Sequence, residues 1–176
     1  VTSGATEISN LAISGVAGTY GRRKKRVITT TVEHASVREA FSRLETEGFE
    51  VVRIAPDKNG TFQPAAFADA VDENTCLLSV MLVNNETGAI LPVEEIFRAA
   101  KQKNSAVLTH CDAVQGFLKL PVRPAAMQAD LLSVSGHKIH AAKGIGALYI
   151  KKGVRLKPLL VGGGQENGLR PGTESV

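Results

Sequence analysis

Apolar positions along the chain alternate between a helical and an extended period. Ile8, Leu11, Ala12, Val16 and Ala17 recur every three or four residues and predict a helix over 8–20. The β-branched run RVITTT predicts a strand over 26–31. SVREAFSRLETE at 36–47 is amphipathic and is stopped by Gly48, and residues 49–54 form the next strand. A short helix over 64–71 carries Pro64 near its start. TCLLSVMLV at 75–83 is nearly all apolar, the pattern of a strand covered on both faces. A helix over 92–103 follows, then strands over 106–111, 130–134 and 145–150. This order predicts an α/β fold of three layers: a mostly parallel sheet of about six or seven strands with helices on both faces.

Such sheets bind ligands beyond the carboxyl ends of their strands. The polar groups that follow the predicted strands therefore mark the candidate site. They are Glu33-His34, Asn84-Asn85-Glu86, residues 112–115 and residues 135–138.

Composition narrows the class. The chain has 176 residues, 43% of them hydrophobic and 22% charged, the balance of one ordinary globular domain rather than a disordered segment. Its net charge of +4 is mild, and nucleic acid is not an expected partner. Two cysteines, Cys76 and Cys111, make neither a disulfide framework nor a metal-ligand spacing. They fit a reducing, cytoplasmic setting, and no metal site is expected. Cys76 lies in a buried type of strand and reads as inert, while Cys111 points away from Asp112 by strand alternation. No apolar run approaches the ~20 residues of a membrane span, and the first residues lack the make-up of a signal peptide. The one charge run, Arg22 to Arg26, reads as a solvated connection between a helix end and a strand; a polyanion patch is its functional alternative.

Individual clusters carry chemistry. Gly4 and the small residues around it stand at the mouth of a helix, where free N–H groups attract a phosphate; Ser3 as a plain N-cap is the structural alternative. Lys138 follows Ser135-Gly136-His137 at the end of a buried strand, where a partly desolvated amine can act as a Schiff-base nucleophile. Asp112 also ends a strand, so its carboxylate faces the same crevice and needs a cationic partner, such as a protonated pyridine nitrogen; capping the next helix is the alternative. Taken alone, His34 reads as a satisfied structural histidine, and residues 84–88 as an ordinary turn.

Together these stretches resemble the class V aminotransferase family of pyridoxal-phosphate enzymes, and within it the cysteine desulfurases and selenocysteine lyases. The matching runs are TSGATE at 2–7, VEH at 32–34, VNNETG at 83–88, DAVQ at 112–115, SGHK at 135–138, GIGALY at 144–149, GGGQE at 162–166 and RPGTE at 170–174. They follow the family's order over the whole chain. The resemblance implies a pyridoxal 5'-phosphate cofactor, with Lys138 binding its aldehyde and Asp112 its ring nitrogen. It further implies that Gln115 bonds the ring's 3-oxygen, and that His34 stacks on the ring and assists proton transfer. Ala5, Thr6, Ser135 and His137 would hold the phosphate, and Asn85 would lie near the ring and the substrate carboxylate. Thr173 matches a residue that reaches the phosphate of a partner subunit, which implies a homodimer. The sequence departs from the family after Lys138. His140 stands in place of an aromatic residue and Ala141-Ala142 in place of Gly-Pro, and no role passes to His140.

The resemblance implies that residues 1–176 are the cofactor-binding large domain, with the family's N-terminal segment and small C-terminal domain outside it. The chain opens on valine rather than methionine, inside the phosphate-binding type of turn, and the expectation is an excised piece. Desulfurase chemistry is then expected of the parent: L-cysteine to L-alanine, with a persulfide passed to a sulfur-acceptor scaffold for iron–sulfur cluster assembly or thiolation. These residues alone would bind the cofactor at most, since neither cysteine stands at the catalytic position. The alternatives are a selenocysteine lyase, another class V enzyme such as a transaminase, or a non-catalytic scaffold whose basic run binds polyanions.

Overall fold

The computed structural model describes residues 1–173, so Glu174 of the RPGTE run lies outside the described residues. The elements run α1 (Ala5–Tyr20), β1 (Arg26–Thr30), α2 (Ala35–Thr46), β2 (Glu50–Ile54), α3 (Pro64–Ala70), β3 (Thr75–Met81), α4 (Val93–Lys103), β4 (Leu108–Asp112), β5 (Leu131–Ser135) and β6 (Gly146–Ile150). The strands form one sheet in the order β2-β1-β3-β4-β5-β6. All neighbours pair in parallel except β6, which runs antiparallel to β5. The predicted three-layer, mostly parallel sheet is thus present, with six strands.

Neighbouring residues within a strand serve opposite faces of this sheet. Val27, Leu77 and Leu131 pack with Phe41 and Leu44 of α2 and with Ile13 and Val16 of α1. Their neighbours Ile28, Leu78 and Leu132 pack with Phe67 of α3 and Phe97 of α4. Burial on both faces explains why strands such as β3 read as unbroken apolar runs.

Local chemistry sets the helix ends. The first turn of α1 starts three residues before its apolar stripe, because Gly4 supplies a φ of 143° and Glu7 reaches back to Ser3. Glu7 Oε2 accepts from the Ser3 N–H at 2.9 Å and from its hydroxyl at 2.6 Å. Ser3 is therefore not the N-cap; Gly4 is, and Glu7 fixes the residue before it. His34 caps α2, with Nδ1 accepting from the Ser36 N–H at 3.2 Å. In α4, Glu94 and Glu95 sit in the first turn and Lys101 and Lys103 in the last, each favourable to the helix dipole.

The chain passes from β1 outward to β2 and returns to β3 on the other side of β1. This reversal opens a crevice between the carboxyl ends of β1 and β3, the place where open α/β sheets bind ligands.

Candidate active site

A cavity of about 450 Å³ lies at that crevice. The loop after β1 contributes His34, the end of β3 and its following turn contribute Met81, Val83 and Asn85, and the end of β4 contributes Asp112, Val114 and Gln115. The 3-10 turn Gly136–Lys138 after β5 brings His137 and Lys138, and the mouth of α1 brings Ser3 to Glu7. Parallel strands place all these ends at one edge, which is how residues more than a hundred positions apart share a wall.

Each side chain is held by its local fold. Asn84 Oδ1 accepts from the N–H groups of Glu86 and Thr87, and its Nδ2 donates to Val32 O at 3.1 Å. The turn read at 84–88 is present, and it places Asn85 on the cavity. Gly136 is required where it stands: a Cβ there would meet Ile145 Cγ2 at 2.5 Å and Ala142 O at 3.1 Å. That close approach folds the turn sharply enough to aim His137 and Lys138 at the cavity. Ser135 Oγ lies 2.8 Å from His137 Nδ1.

The electrostatics of the site are unusual for an empty surface. Asp112 is 5% exposed, and its Oδ1 accepts from the Val114 N–H at 3.0 Å. Val114 opens a turn, not a helix, so Asp112 is not a helix cap. Burial pushes the Asp112 carboxyl up, and the Val114 N–H and the nearby His34 only partly oppose this. A second buried carboxyl, Glu33, is pushed up to about 8 by burial, with the charge of Asp112 adding to the rise against the hydrogen bonds from Met81 and Thr30. Glu7 goes the other way. Partial burial disfavours its charge, but bonds from Arg170 at 2.9 Å and from Ser3 outweigh this and hold it low.

Eight of the ten sequence-predicted site residues line this single cavity: Ala5, Thr6, His34, Asn85, Asp112, Gln115, His137 and Lys138. Ser135 does not; it is buried and turned to His137. Thr173 lines a separate cavity of about 550 Å³ with Glu166 and Arg170, and Ser3 borders both. Cys111 packs on the α4 side of the sheet, away from the site, as alternation predicts. Among the described residues no cluster of His, Cys, Asp or Glu could hold a metal ion, and no helix is long and apolar enough to cross a membrane. Within the basic run, Arg26 bonds Glu50 at 2.6 Å and Asp72 at 3.2 Å, while Lys25 lies 5.1 Å over the Phe49 ring. Sequence reasoning assigned no role to Glu7, Glu33 or Arg170. The adjacent motifs TSGATE, VEH and RPGTE were the only signal for them.

The cavity fits pyridoxal phosphate by its donor set. The first N–H groups of α1 have no intrahelical partners and can receive a phosphate. Among the described residues Asp112 is a buried acceptor that makes no ion pair, and Lys138 supplies an amine to the same cavity.

The sequence model of the aminotransferase class-V family matches residues 1–172. The cysteine desulfurase IscS of Rickettsia prowazekii is 47% identical over 174 residues, which is 98% of this chain and 42% of that protein. A solved structure of a NifS-like protein superposes with a TM-score of 0.95 at 44% identity, over 98% of this chain and 47% of its own. A structure described as SspA in complex with cysteine gives a TM-score of 0.92 at 40% identity, over 98% of this chain and 50% of its own. The chain thus spans less than half the length of the curated relative it matches.

Proposed function

The chain belongs to the class V aminotransferase family, and from that premise we propose that its cavity holds pyridoxal 5'-phosphate as the cofactor-binding large domain of a cysteine desulfurase. One observation carries this reading: Lys138 and Asp112 share one cavity with His34 and the open mouth of α1. The identities of 47% and 44% with proteins described as IscS and NifS-like support cysteine as the substrate.

When bound, the cofactor supplies an aldehyde for an amine and a ring that withdraws electrons from a substrate Cα. The chain's own residues do the rest. Asp112 would hold a proton at the ring nitrogen, and a positive charge there would offset the burial of its carboxylate. Lys138 would hold the aldehyde through its amine and would serve as a general base toward the substrate. His34 has Nδ1 engaged by Ser36, so Nε2 carries its proton and is free to exchange one in the cavity. The N–H groups of Ala5 and Thr6, the Thr6 hydroxyl and His137 would hold the phosphate, with Ser135 orienting the His137 ring. Gln115 would bond the ring's 3-oxygen, and Asn85 would meet the substrate carboxylate.

Neither thiol of the chain accepts sulfur. Burial pushes Cys76 up to about 11, and burial together with the charges of Asp112 and Glu33 pushes Cys111 well above its ordinary value. The sulfur-accepting cysteine of the parent protein is therefore another residue, and the persulfide it forms passes to an acceptor scaffold for iron–sulfur cluster assembly. The protein works as a cytoplasmic homodimer in which the exposed Thr173 reaches the partner's phosphate; the two buried free cysteines suit that reducing setting.

Titration of the purified chain with pyridoxal phosphate tests the reading. A saturable visible absorbance band is expected, and Lys138→Ala should abolish it. Absence of a band in the unsubstituted chain, or its survival in the alanine variant, would overturn the proposal.

A further inference from the structure

We propose that Glu33 is a positioning residue of this site: its carboxyl group ties the loop that carries His34 to the end of β3 opposite Asp112. The inference rests on the reading above and deepens it. Glu33 Oε1 accepts from the Met81 N–H at 2.9 Å and from the Thr30 hydroxyl at 2.8 Å. Met81 is the register partner of Asp112 in the β3–β4 ladder. The next residue after Glu33 is His34, on the cavity wall. One carboxyl thus couples the end of β1 to the end of β3, whose ladder partner is the end of β4.

The clamp has a chemical character that packing alone does not give it. Glu33 is 4% exposed, and its Oε2 is buried without a partner. The ionisable groups that act on it are Asp112 and the Cys111 thiol on β4; His34, next to it in the chain, acts on Asp112 instead. Among the described residues no cation acts on the Glu33 carboxyl, so nothing offsets a second negative charge there. Asp112 faces the cavity and can be met by a cation; Glu33 cannot. The proton of the pair therefore rests on Glu33, and the negative charge is left on Asp112, where a ring nitrogen would meet it.

The sign of the pH effect follows. The folded value of Glu33, about 8, lies above its ordinary 4.5. Its stabilising contribution is complete below the ordinary value and is lost as pH rises through about 8. Glutamine keeps the acceptor for Met81 and Thr30 but never ionises.

Two variants test this in the cofactor-free and cofactor-loaded chain. Glu33→Ala should weaken pyridoxal phosphate binding about tenfold or more, read from the visible band, and Glu33→Gln should restore it to within about threefold. Without cofactor, the melting temperature of Glu33→Gln relative to the unsubstituted chain should rise between about pH 5 and 9. Wild-type affinity in Glu33→Ala, no rescue by Glu33→Gln, or a pH-independent difference in melting temperature would overturn the inference. If the alanine variant does not fold, the glutamine pH profile decides. A band with unchanged affinity in Glu33→Ala refutes only the role of Glu33, whereas no band in the unsubstituted chain refutes the reading beneath it.

Discussion

Asp112 shows at the scale of one residue how function and stability oppose each other. Its carboxyl is buried before any cation reaches it, and burial raises its pKa. A carboxyl raised in the folded state contributes stability at low pH that is lost as pH rises through the folded value. Asp112→Asn keeps the acceptor for the Val114 N–H and removes the charge. The variant should melt higher than the unsubstituted chain at neutral pH in the absence of cofactor, yet bind pyridoxal phosphate about tenfold or more weakly. Melting and titration curves on the same preparations check both halves. The cysteines give a second expectation at this scale. Cys76 and Cys111 are buried and pushed up, so a thiol reagent should label neither in the folded chain and both in denaturant. Residue identities at strand ends were legible in the sequence because a parallel sheet sends them all to one edge. Glu33 was legible as a neighbour of His34 but not as a clamp, because its partner, the Met81 N–H, is a backbone group 48 residues away.

Among the elements, β4 carries a polar strut that no periodicity reveals. His110 is fully buried between β3 and β5, with Nδ1 2.7 Å from Ser79 Oγ and Nε2 2.8 Å from Ser133 Oγ. Burial pushes its imidazole down to about 4. The stability it contributes is present above its ordinary 6.5 and is lost as pH falls through about 4. His110→Leu leaves two buried hydroxyls unpaired and should cost about 2–4 kcal/mol at neutral pH. The variant should also unfold less steeply with acid between those two values, and denaturant titrations across pH check this. The helices and strands themselves were readable from period and apolar content, with ends displaced by only a few residues. Two features were not. The Gly4 φ and the bonds from Ser3 to Glu7 draw α1 back to Ala5, ahead of its apolar stripe. The direction of β6 is set by its pairing with β5 across the turn at Gly136, and apolar content carries no direction.

The whole molecule joins these parts at one crevice. Two apolar layers fix the sheet, the sheet fixes the strand ends, and the strand ends place an amine, an acid, an imidazole and a helix mouth around about 450 Å³. Ser135 and Thr173 show where sequence placement stopped: motif order carried them toward the site, but the fold turns one to His137 and sets the other on a neighbouring cavity. A ligand held by this frame should stabilise all of it. Pyridoxal phosphate at about 100 times its dissociation constant should add about 2.7 kcal/mol, a rise of roughly 5–10 °C in melting temperature. Lys138→Ala should lose most of that rise.

Reductive trapping tests the central claim most directly. The chain is incubated with pyridoxal phosphate, reduced with borohydride, digested and mapped by mass. The account predicts one dominant phosphopyridoxyl adduct, on Lys138, reduced in yield by Asp112→Asn. Adducts scattered over surface lysines with Lys138 unmodified would contradict it.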